Sequence, residues 1–244
     1  MSWTLACMEW RRLMRSPMSW TLMACSLFLL SLFFLHYILE TYAGLPPSGR
    51  APGLTVYLGR ELFGFAALLI LLLAPVLTMR PFSEAFRNGS YVLLSSAPVS
   101  IPAILFGKYL GVLLFQLFFI LTPLLLSLTL IAGTQLDYGL LAAATLGLAL
   151  VSACFSAIGV YFSTLNESPA AAAGGSYGVL LLLSILGQDA LGSAGGLLHW
   201  FAWPAHYLNL QQGLMRSGDL AYFLLLTGLF LGLSLHQLDR RRSR

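Results

Sequence analysis

The sequence predicts an all-α membrane protein that crosses a lipid bilayer six times. Of its 244 residues, 58% are hydrophobic and only 9% are charged, whereas soluble domains carry about 25% charged residues. The charges also divide the chain into uncharged stretches that can each hold a helix of about 20 residues, enough to cross a hydrocarbon core of about 30 Å. A water-soluble fold is therefore excluded, and residues 1–244 are interpreted as a single transmembrane domain.

The positions of the charges define each span, because an ionised side chain at the centre of a bilayer is costly. The predicted spans are residues 18–39, 62–79, 109–132, 138–162, 170–186 and 220–236. A cleaved signal peptide is the alternative for the first apolar run. That run is too long for the apolar region of a signal peptide, so we expect it to be retained as the first span.

The basic residues predict the orientation, because short cytoplasmic loops are enriched in lysine and arginine. With the N-terminus inside, only Arg50, Arg60 and Arg216 face outward. The inner segments then carry Arg11, Arg12, Arg15, Arg80, Arg87, Lys108, Arg240, Arg241, Arg242 and Arg244. We therefore expect a multi-pass protein of the bacterial inner (cytoplasmic) membrane with both termini in the cytoplasm. The basic residues lie beside apolar runs, which favours contact with lipid and argues against nucleic-acid binding.

Residues 1–17 predict an amphipathic helix that lies in the inner membrane interface. Trp3, Cys7, Trp10 and Met14 recur at helical spacing, and the arginines of this segment lie on other faces. Tryptophans at headgroup depth and arginines toward anionic lipid are typical of such helices. The alternative is that this basic N-terminal segment is simply solvated.

The inner segment between the second and third spans, residues 79–108, predicts short helices. Pro81 suits a first helical turn, Gly89 suits a left-handed C-terminal stop, and Ser90 can cap a second helix. Such a pattern predicts a rigid projection on the cytoplasmic side.

The side chains of the first short helix indicate a surface for a partner. Phe82 and Phe86 share one face, and Glu84 and Arg87 are spaced to pair with each other. Exposed aromatic side chains favour a protein contact. An ordinary inner loop with basic side chains that reach the interface is the alternative.

The outer segment between the fifth and sixth spans, residues 187–219, predicts short re-entrant helices in the outer leaflet. It contains Trp200, Trp203, His206 and Gly213, and it is too apolar for a free loop. His199 lies seven positions before His206, but no third ligand is near, so we expect no metal site.

Two segments resemble the type-2 ABC exporter permeases, most closely the small six-span branch that includes gliding-motility and copper-enzyme-maturation permeases. The first departs from the branch pattern at Ala85 and Phe86, where a second acidic residue and a basic residue usually stand. It matches at Met79, Arg80, Phe82, Glu84, Gly89, Leu93, Leu94, Ser96, Pro98, Val99, Ser100, Gly107 and Lys108. The second matches at Pro204, His206, Gly213, Asp219, Tyr222, Phe223, Leu226, Thr227 and Phe230.

The resemblance implies the permease subunit of an ATP-driven exporter, which moves a substrate outward or transmits conformational change across the membrane. Two copies would assemble with two cytoplasmic ATPase subunits, which would bind the ATP and Mg²⁺, so this chain itself would hold no cofactor. A periplasmic or membrane-anchored accessory protein is a further expected partner. The residues implied in coupling to the ATPase are Arg80, Phe82, Glu84, Phe86, Arg87, Gly89 and Ser90. Those implied in the outer exit region are Trp200, Trp203, His206 and Gly213.

Motif searches argue against catalysis by this chain. The phosphate-binding pattern GxxxxGK[ST] is absent, as is HExxH, so we expect no catalytic residues. An intramembrane enzyme would need converging acid, base or metal groups, but the spans contain mainly Ser, Thr and Gln116. A secondary transporter driven by an ion gradient is the alternative function. It would normally place charges at mid-membrane, and none of the predicted spans does so.

Overall fold

The computed structural model describes residues 2–40, 53–89, 100–132, 135–186 and 200–242, and these ranges contain helices and no strands. The predicted second coupling helix, Ser90 included, lies outside the described residues, as do His199 and most of the segment that precedes it. The helices are α1 (Ser2–Arg15), α2 (Pro17–Leu32, continued by the π-helix Phe33–Leu39), α3 (Leu54–Thr78), α4 (Arg80–Arg87), α5 (Ile101–Leu128, continued by the 3₁₀ turn Thr129–Ala132), α6 (Tyr138–Leu165), α7 (Pro169–Ile185), α8 (Trp203–Gln211) and α9 (Ser217–Arg242).

Five helical segments of the described part are long and apolar enough to cross a membrane. They are Pro17–His36, Leu54–Arg87, Ile101–Ile131, Tyr138–Leu165 and Ser217–Arg242. The predicted fifth span corresponds to α7, which is apolar but has only 17 residues. At about 1.5 Å per residue it is about 26 Å long. The predicted all-helical, multi-pass architecture is therefore confirmed.

Several helices extend beyond the predicted spans. The helix α3 begins at Leu54 and includes Arg60 and Glu61, and α5 begins at Ile101 and includes Lys108. Charges limit the part of a helix that lies in hydrocarbon, but backbone hydrogen bonding continues into the polar interface. Charge placement therefore underestimated the length of the helices, and it stays a prediction for the part of each helix that lies in hydrocarbon.

The helix α6 is the centre of the bundle, and it packs against α3, α4, α5, α7, α8 and α9. Glycines permit the close approach. A Cβ at Gly159 would collide with the Thr78 side chain of α3, and a Cβ at Gly147 would lie 2.9 Å from the Leu210 side chain of α8. Small residues at helix contacts are how membrane helices approach closely enough for dense packing. Any side chain at these positions would push α6 away from its neighbours.

The two ends of the described chain lie at the same end of the bundle. Near the end of α9, Arg241 donates a hydrogen bond to the carbonyl oxygen of Leu165 at the end of α6, 2.9 Å away. In α1, the Glu9 carboxylate lies 3.4 Å from Nζ of Lys108 near the start of α5. We call this the terminal end. At the opposite end, the Asp137 N–H donates to the Thr55 hydroxyl at 3.1 Å.

The short helix α8 lies inside the bundle. Its first residue, Trp203, meets Phe155 just past the midpoint of α6, with ring centroids 5.1 Å apart and nearly perpendicular. Further along, the Tyr207 hydroxyl donates to the Phe63 carbonyl oxygen of α3 at 2.9 Å. The helix therefore runs from the middle of the bundle toward the opposite end, where Gly213 lies beside Leu140.

Candidate functional site

The helix α4 stands at the terminal end between the long helices α3 and α5. Pro81 occupies its first turn, where the missing N–H of proline is no loss. Pro81, Phe82 and Ser83 are buried, whereas Arg87 and Asn88 at its far end are exposed. The N-terminal end of α4 is thus packed in the bundle, and its C-terminal end is exposed.

Ser163 of α6 holds the buried end of α4. The first N–H groups of a helix have no acceptors in their own helix. The Ser163 hydroxyl accepts the N–H groups of Phe82 and Ser83, each at 3.1 Å, and lies 3.0 Å from the Met79 carbonyl oxygen, to which it donates. A residue 80 positions later in the chain therefore does what a local N-cap residue normally does. Because α6 is the centre of the bundle, α4 is fixed directly to it.

Phe82 is wholly buried, so the prediction that it is exposed was wrong. It packs among residues of α5, α6 and α9, which are Ile101, Ile104, Leu105, Tyr109, Ala157, Val160, Leu231 and Leu238. The Lys108 ammonium lies 5.3 Å from the centre of the Phe82 ring and donates to the Pro81 carbonyl oxygen at 2.7 Å. The local spacing placed Phe82 on the correct face of α4, but only the assembled bundle covers that face.

Phe86 is half-buried and lies under the C-terminal end of α9. The Arg241 guanidinium carbon is 4.2 Å from the centre of the Phe86 ring, within the range of a cation–π contact. The Phe86 and Phe82 rings also touch, at 6.3 Å between centroids. The predicted aromatic surface is therefore largely occupied by the chain itself.

An ion-pair network joins α4 to α1 and α5. Glu84 pairs with Arg80, at 3.4 Å, and with Arg12 of α1, and not with Arg87 as predicted. Arg12 also pairs with Glu9 at 3.2 Å, and Glu9 reaches Lys108. Glu9 is buried, and a buried carboxylate requires such partners. Sequence reasoning missed Glu9, because its partner Lys108 is 99 positions away.

The exposed end of α4 consists of Arg87, Asn88 and Gly89. Gly89 has φ of +68°, which confirms the predicted left-handed stop. Among the described residues, no heavy atom outside its neighbours lies within 4 Å of the position that a Cβ would occupy. The requirement for glycine is thus set by the backbone and not by space. Beside this end is a cavity of about 300 Å³ whose lining includes Glu9, Arg12, Glu84 and Asn88.

A second polar cluster lies around α8. Nδ1 of His206 is 2.6 Å from a carboxylate oxygen of Asp219, and Nε2 is 2.9 Å from the Trp200 carbonyl oxygen. Asn209 donates to the other Asp219 oxygen at 3.0 Å, and the Tyr222 ring stacks on the imidazole at 4.2 Å. Both imidazole nitrogens are therefore engaged with oxygen atoms. The histidine joins α8 to the start of α9.

The structure brings two of the four predicted exit residues, Trp200 and His206, into contact. Trp200 is half exposed and its ring contacts His206 edge-on at 6.0 Å, while Trp203 is buried deeper in the bundle. Gly213 follows α8 with φ of +79°, a second left-handed position that we had not predicted. In the described part of the chain, no three His, Cys, Asp or Glu side chains converge as a metal site would require.

These features define a multi-pass helical membrane protein with a short helix anchored at one end. The sequence model of the ABC-2 family transporter proteins matches residues 3–235, and the chain belongs to that family. No curated protein matches it. The chain is therefore the membrane component, or permease, of an ABC transporter, and membrane components of this family are generally non-catalytic and work with a partner ATPase subunit. Secondary transport, the alternative from sequence, is not favoured.

Replacing Ser163 with alanine tests the attachment of α4. The variant loses both hydrogen bonds to the start of α4, so we expect it to be less stable by about 1–2 kcal/mol. Hydrogen exchange should accelerate at the amides of Phe82 and Ser83. Ser234→Ala is the control, because the buried Ser234 hydroxyl donates only to Phe230 of its own helix. Unchanged exchange at α4 in Ser163→Ala would contradict the capping role.

Replacing His206 with alanine tests the second cluster. The change leaves Asp219 buried without its imidazole partner, which should cost about 3 kcal/mol. Asp219→Asn added to that variant should recover part of the loss, because it removes the unpaired charge. Thermal unfolding in detergent measures both effects. Zinc should leave the unfolding temperature of the unaltered protein unchanged, and a stoichiometric zinc signal that depends on His206 would contradict this assignment.

Proposed function

We propose that the chain is the permease subunit of an ABC exporter and that α4 couples it to a separate cytoplasmic ATPase. The observation that carries this proposal is the attachment of α4 to α6 through Ser163 and Phe82. A helix that is fixed to the bundle at its buried end and exposed at its other end can transmit a displacement of the exposed end to the bundle. An unanchored loop would bend instead.

The contacts of α6 give the displacement a path. Because α6 packs against most of the other helices, motion of α4 reaches α3, α5, α7, α8 and α9 through a single element. Closely packed interiors have low compressibility and therefore transmit displacement. The ion pairs of Glu84 and Arg12 extend the same path to α1. In this proposal the coupling ends in export of a substrate or in transmission of conformational change across the membrane.

The structure changes which residues of α4 are proposed to touch the ATPase. Arg87, Asn88 and Gly89 form the contact, together with the exposed sides of Arg80 and Glu84. Phe82 and Phe86 hold α4 in position through their contacts with the bundle. Ser90, which follows Gly89 directly, is proposed to continue the contact. The ATPase binds the ATP and Mg²⁺.

We propose that two copies of the permease assemble with two ATPase subunits. The glycines of α7 support a helix face that is available for contact with a second copy. A Cβ at Gly111, Gly147 or Gly159 would meet side chains or backbone of other helices, whereas a Cβ at Gly174 or Gly178 on α7 would have no described atom of another part of the chain within 4 Å. Small residues four positions apart favour close contact between membrane helices. The face of α7 that carries Gly174 and Gly178 is therefore proposed to meet the second copy.

The proposed location is the bacterial inner membrane, with the terminal end in the cytoplasm and α7 as the fifth of six crossings. Basic residues support this orientation, because the terminal end gathers most of them and the opposite end carries Arg60 and Arg216. The contact between Trp200 and His206 is then proposed to face the exit side, with Trp203 deeper in the bundle and Gly213 at the end of α8. There it is proposed to shape the exit or to meet an accessory protein.

Cysteine labelling tests this orientation. In a variant that lacks Cys7, Cys25 and Cys154, a cysteine in place of the exposed Asn88 should react with a membrane-impermeant maleimide only after the cells are opened. A cysteine in place of the exposed Ser217 should react in intact cells. The two positions lie at opposite ends of the bundle, so each is the control of the other. Reaction of the Asn88 position in intact cells would reverse the proposed topology.

Charge reversal at the exposed end of α4 tests the coupling. Arg87→Glu combined with Asn88→Glu should reduce co-purification of the ATPase with the tagged permease by about tenfold or more, since complementary charge orients such contacts. The permease itself should remain folded, because both side chains are exposed. Phe82→Ser should instead destabilise the permease.

Arg216→Glu is the matched control, because it reverses an exposed arginine at the opposite end. The mass of the unaltered complex should correspond to two permeases and two ATPases. Full co-purification of the ATPase with the doubly altered protein, with hydrolysis still responsive to the permease, would move the contact away from α4. A mass that corresponds to one permease would contradict the dimer.

A further inference from the structure

The bend between α1 and α2 carries two basic side chains that the bundle does not neutralise. Arg11 and Arg15 lie one turn apart on the exposed face of α1. Among the described residues, neither arginine takes part in an ion pair, whereas Arg12 between them is engaged by acidic side chains. Ser16 connects α1 to α2 at this bend. Two unpaired guanidinium groups at a membrane interface form a site for an anion.

The start of α2 adds hydrogen-bond donors to the same place. Pro17 has no N–H, and the N–H groups of Met18 and Ser19 have no acceptor in their own helix, as in the first turn of any helix. The Ser16 hydroxyl makes no capping bond. A broad open depression is lined here by Met8, Arg11, Arg12, Arg15 and Ser16. Its chemistry is that of a phosphate site, with arginines and a helix start combined.

An apolar groove lies on the next face of α1. It has a volume of about 310 Å³ and an almost wholly apolar lining, formed by Cys7, Trp10, Leu114, Leu117, Phe118 and Leu121. Cys7 and Trp10 are the chain neighbours of Met8 and Arg11, so the groove and the depression adjoin across one turn of α1. The groove follows α5 from Leu114 to Leu121, a length of about 10 Å at 1.5 Å per residue.

A tryptophan marks the depth of the bend. Trp20 is exposed, and its indole N–H donates to the Met14 carbonyl oxygen at 2.6 Å. Tryptophan is enriched where hydrocarbon meets headgroups. The Trp20 ring also contacts Phe115, beside Leu114 of the groove, with ring centroids 6.2 Å apart. This position of the tryptophan favours a depression at headgroup level and a groove that extends from it toward hydrocarbon.

We propose that this bend binds an anionic phospholipid of the leaflet that contains α1. The lipid phosphate lies against Arg11, Arg15 and Ser16, and one acyl chain occupies the groove between α1 and α5. A soluble anion would leave the groove empty, and a zwitterionic lipid such as phosphatidylcholine brings a phosphate whose charge is offset by its own choline, so it attracts the two arginines less strongly. The site borders the ion-pair network of α4 through Arg12, so the lipid lies one side chain away from Glu84.

The test uses the purified protein in nanodiscs of phosphatidylcholine with or without about one-tenth phosphatidylglycerol. Phosphatidylglycerol should raise the unfolding temperature, and native mass spectrometry should find it retained. Arg11→Gln combined with Arg15→Gln should weaken that retention by about thirtyfold. Arg60→Gln combined with Arg216→Gln is the control, since both arginines are exposed at the opposite end. All variants should unfold at the same temperature in phosphatidylcholine alone.

Two further variants test the role of the groove. Leu117→Trp fills the groove and should reduce retention of phosphatidylglycerol, whereas Leu224→Trp on the exposed face of α9 should not. Unaltered lipid retention after replacement of Arg11 and Arg15 would overturn the proposal. Equal stabilisation by inorganic phosphate would overturn it as well, because the groove would then have no role. Loss of the ATPase with lipid retention unchanged would make the arginines a protein contact instead.

Discussion

The hydrogen bonds of the Ser163 hydroxyl determine where α4 can stand, and the arrangement of the terminal end depends on them. A short helix has unpaired N–H groups at its start, and in a membrane protein few water molecules are available to satisfy them. Because the acceptor is on α6, the first turn of α4 is placed against the central helix. Phe82 is then covered by α5, α6 and α9, and Glu84 is brought within reach of α1. The hydrogen bonds of one side chain, the burial of Phe82 and the ion pairs of Glu84 thus all fix α4 in the same position.

Burial of charge is the second constraint on the terminal end. Glu9 and Lys108 both lie where α1 packs on α5, and neither could remain there as an isolated charge. Their pairing with each other and with Arg12 makes α1 part of the bundle and not only a helix resting on the membrane. Gly111 of α5 permits this contact, since a Cβ there would lie 2.7 Å from the Glu9 side chain. Packing and charge therefore select the same position for α1.

Features that depend on local chemistry were predictable from sequence. Apolar length predicted the membrane helices, and the need for a left-handed residue predicted the conformation of Gly89. Features that depend on partners distant in the sequence were not predictable. The face of α4 that carries Phe82 was identified correctly, but its burial requires Leu238 from the far end of the chain. Likewise, nothing near Glu84 in sequence indicates Arg12, 72 positions earlier. The sequence thus singled out the segment that holds α4, and only the fold shows which of its residues are exposed.

The contact of Arg241 with Phe86 has a consequence for the order of assembly. Domains and helices form in sequence during synthesis, beginning with the N-terminal ones. The contact of Arg241 with the Phe86 ring therefore forms only after synthesis has reached the end of α9, long after α4 itself has been made. A chain arrested before that point presents an unfinished surface at the place where a cytoplasmic subunit would attach. On the proposed role of α4 in coupling, the complete contact surface for that subunit exists only in chains in which both halves of the bundle have already met.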